Sequence, residues 1–295
     1  VTAPRVRRAL VDDGPARVLL IVDFKNVVYR SVSMHDALFH ARVFTGGLYG
    51  FIAGVLRAVR DVGATRVVVA TDSPPYVRRT QFDGYKGDRK QRPDDDPMLL
   101  KGAQSMKLIR ELLALLNVPL WALDGFEYDD LCAWAVRTLS PRFDRVVAMT
   151  NDSDLFQLFD VDNFAVHRGA AKGVYGRKEF VAEYGDISAA QWVDVLSMTG
   201  THNAVPGIGG IGPKTAMRAL HDPALLRDIM SKHAATIKRN RALITLPHAS
   251  LPSDPGHRVA RHTIDLRRFD SFCARYAIRP TARMLEALDD LMRAN

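Results

Sequence analysis

Short apolar runs that stop at a carboxylate constrain this 295-residue chain more than any other feature. RVLLIVD (17–23), TRVVVATD (65–72), VPLWALD (118–124) and FDRVVAMTND (143–152) each read as a buried strand closed by an aspartate, and NFAVHR (163–168) is a weaker fifth. Helical periodicities lie between them at LYGFIAGVLRAVRDVG (48–63), MKLIRELLALLN (106–117) and YDDLCAWAVRTL (128–139). This alternation predicts an α/β fold with a mostly parallel central sheet flanked by helices. Ligands of such sheets gather outside the carboxyl ends of the strands. Asp23, Asp72 and Asp152 stand at those ends, and Glu127, Asp129 and Asp130 open the helix after the third strand, so all six converge on one edge.

Any one aspartate there is explained by capping, since Asp is a favoured helix N-cap. Several carboxylates together repel unless a divalent cation neutralises them, and hard oxygen donors select Mg²⁺ or Mn²⁺ over zinc. Such ions serve phosphodiester hydrolysis, with water as the nucleophile.

Two further segments point to nucleic acid. Residues 73–105 are too long for an ordinary strand-to-helix loop. Within them Arg78, Arg79, Lys86, Arg89, Lys90 and Arg92 are interleaved with Tyr76, Phe82 and Tyr85, a composition suited to phosphate contacts and stacking on unpaired bases. PGIGGIGPKT (206–215) sets Gly207, Gly209, Gly210 and Gly212 before Pro213, Lys214 and Thr215 at a helix start, where unpaired N–H groups favour an anion. A nucleotide P-loop is excluded because Pro213 separates Gly212 from Lys214 and a helix precedes the turn. With 41 Lys and Arg against 33 Asp and Glu, the net charge of +8 favours a polyanionic partner.

The expected organisation is a flexible tail over 1–16, an α/β core over 17–185 including the basic segment 75–105, a helical module over 186–250, and a C-terminal connector with helices over 251–295. Cys132 and Cys273 are too few and too far apart for a disulfide framework or a zinc site, which fits a cytoplasmic protein. No apolar stretch approaches the roughly 20 residues that cross a bilayer, and the first residues are not of signal-peptide type. The chain is expected to act as a monomer. His202 is the one histidine near a candidate site, while Trp121, Trp134 and Trp192 sit in apolar periodic segments and read as core.

VDFKNVVYR (22–30) resembles the first motif of the bacterial and phage 5′ nucleases of the flap endonuclease family. TDSPPYVRR…YKGDR (71–89), GFEYDD (125–130) and TNDSDLFQL (150–158) resemble the next three, in order. The similarity extends through PGIGGIGPKTA to about residue 247. It implies a PIN-like nuclease core, a helical arch, and a helix-three-turn-helix module that holds duplex DNA and takes a K⁺ ion at its glycine-rich turn. It further implies a free-standing 5′-3′ exonuclease or flap endonuclease acting on DNA with a 5′ end, flap or nick. Asp23, Asp72, Glu127, Asp129, Asp130 and Asp152 match the acidic residues of the active site, Asp154 a residue of the second metal, and Lys86 and Arg89 the basic arch positions. One stretch departs from the family pattern: where aspartates are expected, GTHNAVPG places Thr201 and Asn203, which carry no charge. A one-metal nuclease, a second metal recruited with the DNA phosphate, and a branched-DNA binder without catalysis all remain open. A PIN-like ribonuclease is a further alternative, opposed by the glycine-rich turn and the basic insertion.

Overall fold

The structure, a computed structural model, describes residues 16–87, 93–201 and 205–294. The expected tail falls almost wholly outside these residues, as do Arg89, Lys90, Arg92, His202 and Asn203. In chain order, β1 (Val18–Asp23) leads to α1 (Phe24–Met34), the hairpin strands β2 (Phe39–His40) and β3 (Val43–Phe44), and α2 (Gly46–Val62). Next come β4 (Arg66–Ala70), α3 (Arg78–Gln81), α4 (Pro97–Leu115), β5 (Leu120–Trp121), α5 (Tyr128–Leu139), β6 (Arg145–Met149), β7 (Phe164–His167) and β8 (Val174–Tyr175). The remainder is α6 (Arg177–Tyr184), α7 (Ala189–Thr199), the short pair β9 (Gly200–Thr201) and β10 (Val205–Pro206), α8 (Pro213–His221), α9 (Pro223–Ile244), α10 (Leu266–Arg275) and α11 (Ala282–Arg293).

The sheet has the order β5-β4-β1-β6-β7-β8 and is parallel except for the β7–β8 pair. Alternation along the strands builds two cores. Leu19, Ile21, Val68, Ala70, Val146 and Ala148 face Leu131 and Trp134 of α5, Trp192 of α7 and Ile237 of α9. Leu20, Val22, Val67, Val69, Val147 and Met149 face Phe24 of α1, Ile52 of α2 and Ile109 of α4 on the other side. Each Val, Leu, Ile, Phe or Met side chain so removed from water contributes about 1.5–3 kcal/mol. The C-terminal region is structural: Phe269 and Phe272 of α10 and Leu288 and Leu291 of α11 complete the second core.

Several elements differ from expectation. Only Leu120 and Trp121 of the predicted 118–124 strand pair with the sheet. Helix α4 begins at Pro97 instead of near 106, because the Asp96 side chain accepts from the Met98 and Leu99 amides and Pro97 occupies the first turn. Among the described residues of the predicted arch (75–105), helix is found in the single turn of α3 and in the first turns of α4. No helix among the described residues is long and apolar enough to cross a membrane.

Candidate active site

Strand β1 lies between β4 and β6, so the chain winds outward in opposite directions on its two sides, and a crevice opens at the carboxyl ends there. Asp23 is the last residue of β1 and the N-cap of α1, its Oδ1 accepting from the Asn26 amide at 3.1 Å. Across the crevice, the Thr150 hydroxyl donates to Asp23 Oδ2 at 2.9 Å and accepts from the Asp152 amide at 3.2 Å. Asp152 Oδ1 in turn accepts from the Asp154 amide at 2.9 Å. On the other side, Asp72 accepts from the Tyr128 amide at 3.0 Å and the Tyr76 hydroxyl at 3.2 Å, and pairs with Lys25 at 3.5 Å and Lys86 at 4.0 Å. The capping role and the site role of Asp23 therefore coexist in one side chain.

These carboxylates divide by their counter-charges. Burial raises the pKa of Asp72, but Lys86 and Lys25 outweigh it, and the group ends below its ordinary value. Asp23 is pushed up to about 7, chiefly by burial and further by Asp72 and Asp152, against the opposing hydrogen bonds from Asn26 and Thr150. Burial, then the charges of Asp152 and Asp23, carry Asp129 well above the carboxylate range, and Asp154 rises through burial and Asp152. Among the described residues, no group of three or more His, Cys, Asp or Glu side chains is arranged to hold a metal ion as it stands. In donor chemistry the set fits a hard divalent cation: oxygen ligands, half-buried, with negative charge in excess of the lysines beside them.

Asp130, expected at the centre of the acidic cluster, is instead fully buried and engaged by Arg78. Arg78 Nη1 donates to Asp130 Oδ2 at 2.5 Å and Nη2 to Oδ1 at 2.7 Å, while the same carboxylate accepts from the Glu127 amide at 3.2 Å and the His248 amide at 2.8 Å. These four bonds occupy the oxygens a metal would need. Arg78, expected to contact DNA, is 2% exposed, and Tyr85 is likewise buried with its hydroxyl donating to Glu127 Oε2 at 2.5 Å. Both serve the site from beneath, because a basic, aromatic composition does not reveal which side chains turn inward. Lys86 is buried too, paired with Glu127 and set over the Tyr76 ring at 4.5 Å. Arg79 is exposed.

Thr201 lines a cavity of about 20 Å³ together with Glu127, Asp129 and Asp154, a space of roughly one water molecule. In the glycine-rich turn Ile208 is buried while Gly207, Gly209, Gly210 and Gly212 are exposed. A side chain at Gly207 would meet the Thr199 carbonyl at 2.2 Å, and Gly210 has φ +80°. Gly212 caps α8, and Lys214 is exposed in its first turn with Thr215 half-buried behind it.

Sequence reasoning passed over Thr150, Lys25 and His248. The first two lie inside quoted motifs, so their position was available as a signal. His248 acts through its backbone amide, which no residue type could announce.

Residues 18–185 match the family described as 5′-3′ exonuclease, N-terminal resolvase-like domain. The 5′-3′ exonuclease of Aquifex aeolicus is 29% identical over 217 residues, covering 72% of this chain and 72% of its own. DNA polymerase I of Deinococcus radiodurans is 29% identical over 231 residues, 77% of this chain but 23% of the polymerase, so the chain spans about a quarter of that relative. Among solved structures, the T5 D15 protein co-crystallised with metal ions superposes with a TM-score of 0.66 at 18% identity, covering 93% of this chain and 99% of that one. Flap endonuclease-1 from Methanococcus jannaschii gives 0.59 at 12% identity, over 94% and 92% of the two chains. The fold is thus shared with these nucleases, and the chain belongs to the 5′-3′ exonuclease family through its N-terminal resolvase-like domain.

Proposed function

We propose that this protein is a structure-specific 5′ nuclease that hydrolyses DNA phosphodiesters near a 5′ end, flap or nick and leaves a 5′-phosphate. The supporting observation is the grouping of Asp23, Asp129, Asp152 and Asp154 around one crevice with no ion pair to any of them among the described residues. Asp23, Asp72, Glu127, Asp129, Asp152 and Asp154 would hold Mg²⁺ or Mn²⁺. The ion, when bound, supplies a water of lowered pKa and polarises the phosphoryl oxygens.

Lys86 carries its charge beside Glu127 and Asp72 and offsets negative charge that grows on the phosphate. Arg89 and Lys90 extend the same basic segment. Arg79 meets the DNA backbone from the exposed side of α3. The glycine-rich turn, with Lys214 and Thr215, grips duplex phosphates from the α8 N-terminus, and a K⁺ ion on the turn's carbonyls would brace it. The enzyme works as a monomer in the cytoplasm.

Thr201 and Asn203 bring no charge to the second metal position, which supports one firmly held ion and a second recruited by substrate. The same feature favours a branched-DNA binder without catalysis as the second reading. A cleavage assay on 5′-labelled flap and nicked duplexes with Mg²⁺, Mn²⁺ or EDTA separates the two. Metal-dependent cleavage that Asp152→Ala abolishes is expected. Tight flap binding without cleavage in either metal establishes the binder.

A further inference from the structure

The buried contacts of α3 reach beyond the carboxylate cluster. Arg78 Nε donates to the Leu243 carbonyl at 2.7 Å, in the last turn of α9. Its Nη1 also reaches Glu127 Oε2 at 3.3 Å, so one guanidinium touches the helical module, Asp130 and Glu127 at once. The same end of α9 is held twice more. Gln157 Nε2 donates to the Ile244 carbonyl at 3.2 Å and its Oε1 accepts from the Leu246 amide at 2.8 Å, while the His248 amide donates to Asp130. Gln157 shares a short 3-10 turn with Asp154 and its Nε2 donates to the Asp154 backbone carbonyl at 2.8 Å, so this second latch reaches the backbone that carries a site carboxylate. Arg239 of α9 covers the Phe82 ring at 4.5 Å and adds a second contact between α9 and the arch base.

We propose that Arg78 is a positioning residue for cleavage: it fastens the end of the duplex-gripping module to Glu127, so that a duplex seated on the module places its phosphate in register with Lys86 and the carboxylates. A planar fork with five donors suits this task, because it meets a carboxylate with two parallel bonds and a carbonyl with a third. Lysine keeps the charge but loses the simultaneous contacts. Arg78 makes no claim on DNA itself, since it is almost wholly enclosed by protein.

The kinetic part of this inference rests on the nuclease reading above. Arg78→Lys is compared with the wild type for cleavage in Mg²⁺ and for flap binding in Ca²⁺. Turnover is expected to fall on the order of 10²-fold, the usual cost of a misplacement near 1 Å, with KM and binding unchanged. Non-denaturing guanidinium should restore part of the turnover of Arg78→Ala. Unchanged turnover in Arg78→Lys, or losses that follow the folded fraction in circular dichroism, overturns the proposal.

Hydrogen exchange supplies an arm independent of cleavage. In the wild type, 78–86 and 243–248 should be protected together when flap DNA binds. In Arg78→Lys the protection of 78–86 should be lost while that of 213–221 persists. If the wild type does not cleave at all, the nuclease reading fails and this arm alone decides: protection that stays joined in Arg78→Lys refutes the positioning role.

Discussion

The Thr150 hydroxyl bridges the crevice to Asp23, donating to Oδ2 at 2.9 Å while the Asp152 amide donates back to the same oxygen of Thr150 at 3.2 Å. One neutral group thereby orients the Asp23 carboxylate and fixes the backbone that carries Asp152 just past the end of β6. Partners of this kind, one step behind a metal's ligands, typically govern affinity 10–100-fold. Thr150→Val, which keeps the shape and removes the hydroxyl, should raise the Mg²⁺ concentration for half-maximal cleavage by about tenfold. Thr150→Ser should restore it. A Mg²⁺ titration of the three proteins checks this, and an unmoved midpoint in Thr150→Val rules the orienting role out.

Asp130 and Asp152 should behave oppositely when neutralised. Asp130→Asn breaks the buried bidentate pair and leaves the Arg78 guanidinium with Glu127 as its only carboxylate partner among the described residues, a change that costs up to about 3–5 kcal/mol. Asp152→Asn removes a charge that repels Asp129 and Asp154 in the metal-free protein, and keeps an oxygen to accept the Asp154 amide. The first should lower Tm by several degrees and the second should not lower it, although Asp152→Asn should lose cleavage entirely. Differential scanning calorimetry without metal, beside the flap assay, measures both.

The strand ends were legible because each core strand is a run of buried apolar residues that a carboxylate must terminate: Leu19 to Val22 before Asp23, Val67 to Ala70 before Asp72, and Val146 to Met149 before Asp152. Their convergence followed from parallel topology alone. The pairing of Arg78 with Asp130 was not legible, since the two are 52 residues apart and nothing local distinguishes a buried arginine from its exposed neighbour Arg79. The start of α4 was readable in the Asp96-Pro97 pair, but the density of charge around it favoured a loop. Strand β5 was overestimated because VPLWALD has strand composition throughout, whereas only Leu120 and Trp121 have a neighbour to pair with.

Lys86 stands between Asp72 and Glu127, within the site and not on an outer binding face. Lys86→Ala should cost turnover on the order of 10²–10³-fold, the usual effect of removing one preorganised charge. Affinity for nicked duplex in Ca²⁺ should hardly change. Stopped-flow cleavage and fluorescence anisotropy on the same substrate test the separation; a loss confined to affinity contradicts the assignment.

Metal-free stability should fall as pH rises from about 4 to 7, and Asp23 contributes to this beside Asp129 and Asp154, which burial and like charge raise in the same direction. The folded pKa of Asp23, about 7, lies above the unfolded value of 3.8, so the folded state holds the proton more tightly. Stability from this group is complete below the unfolded pKa and is lost as pH climbs through the folded one. Asp23→Asn should therefore raise the metal-free Tm at neutral pH by several degrees, equivalent to about 1–2 kcal/mol. Saturating Mg²⁺ should flatten the wild-type profile. Thermal melts across this range, with and without the ion, reveal whether Asp23 behaves so.

A second titration runs the other way. His262 accepts the Val67 amide on Nε2 at 2.9 Å, capping β4 where the short β5 does not reach. It belongs to a segment anchored also by Trp134 Nε1 on the Ser253 carbonyl and by Trp121 Nε1 on the Arg258 carbonyl. Burial holds the imidazole below its ordinary 6.5, with Arg66 adding to the effect against a bond to Asn117. The unfolded chain takes up a proton at this position before the folded one does, so the stability it contributes is present above about pH 6.5 and is lost as pH falls toward the folded value. Protonation also turns the acceptor nitrogen into a donor facing an N–H. Below pH 6.5 the segment over 251–264 should loosen first, seen as faster amide exchange at Val67 and a drop in Tm. His262→Gln, which keeps an acceptor that does not titrate, should remove that drop. An equal acid loss in both proteins would place the titration elsewhere.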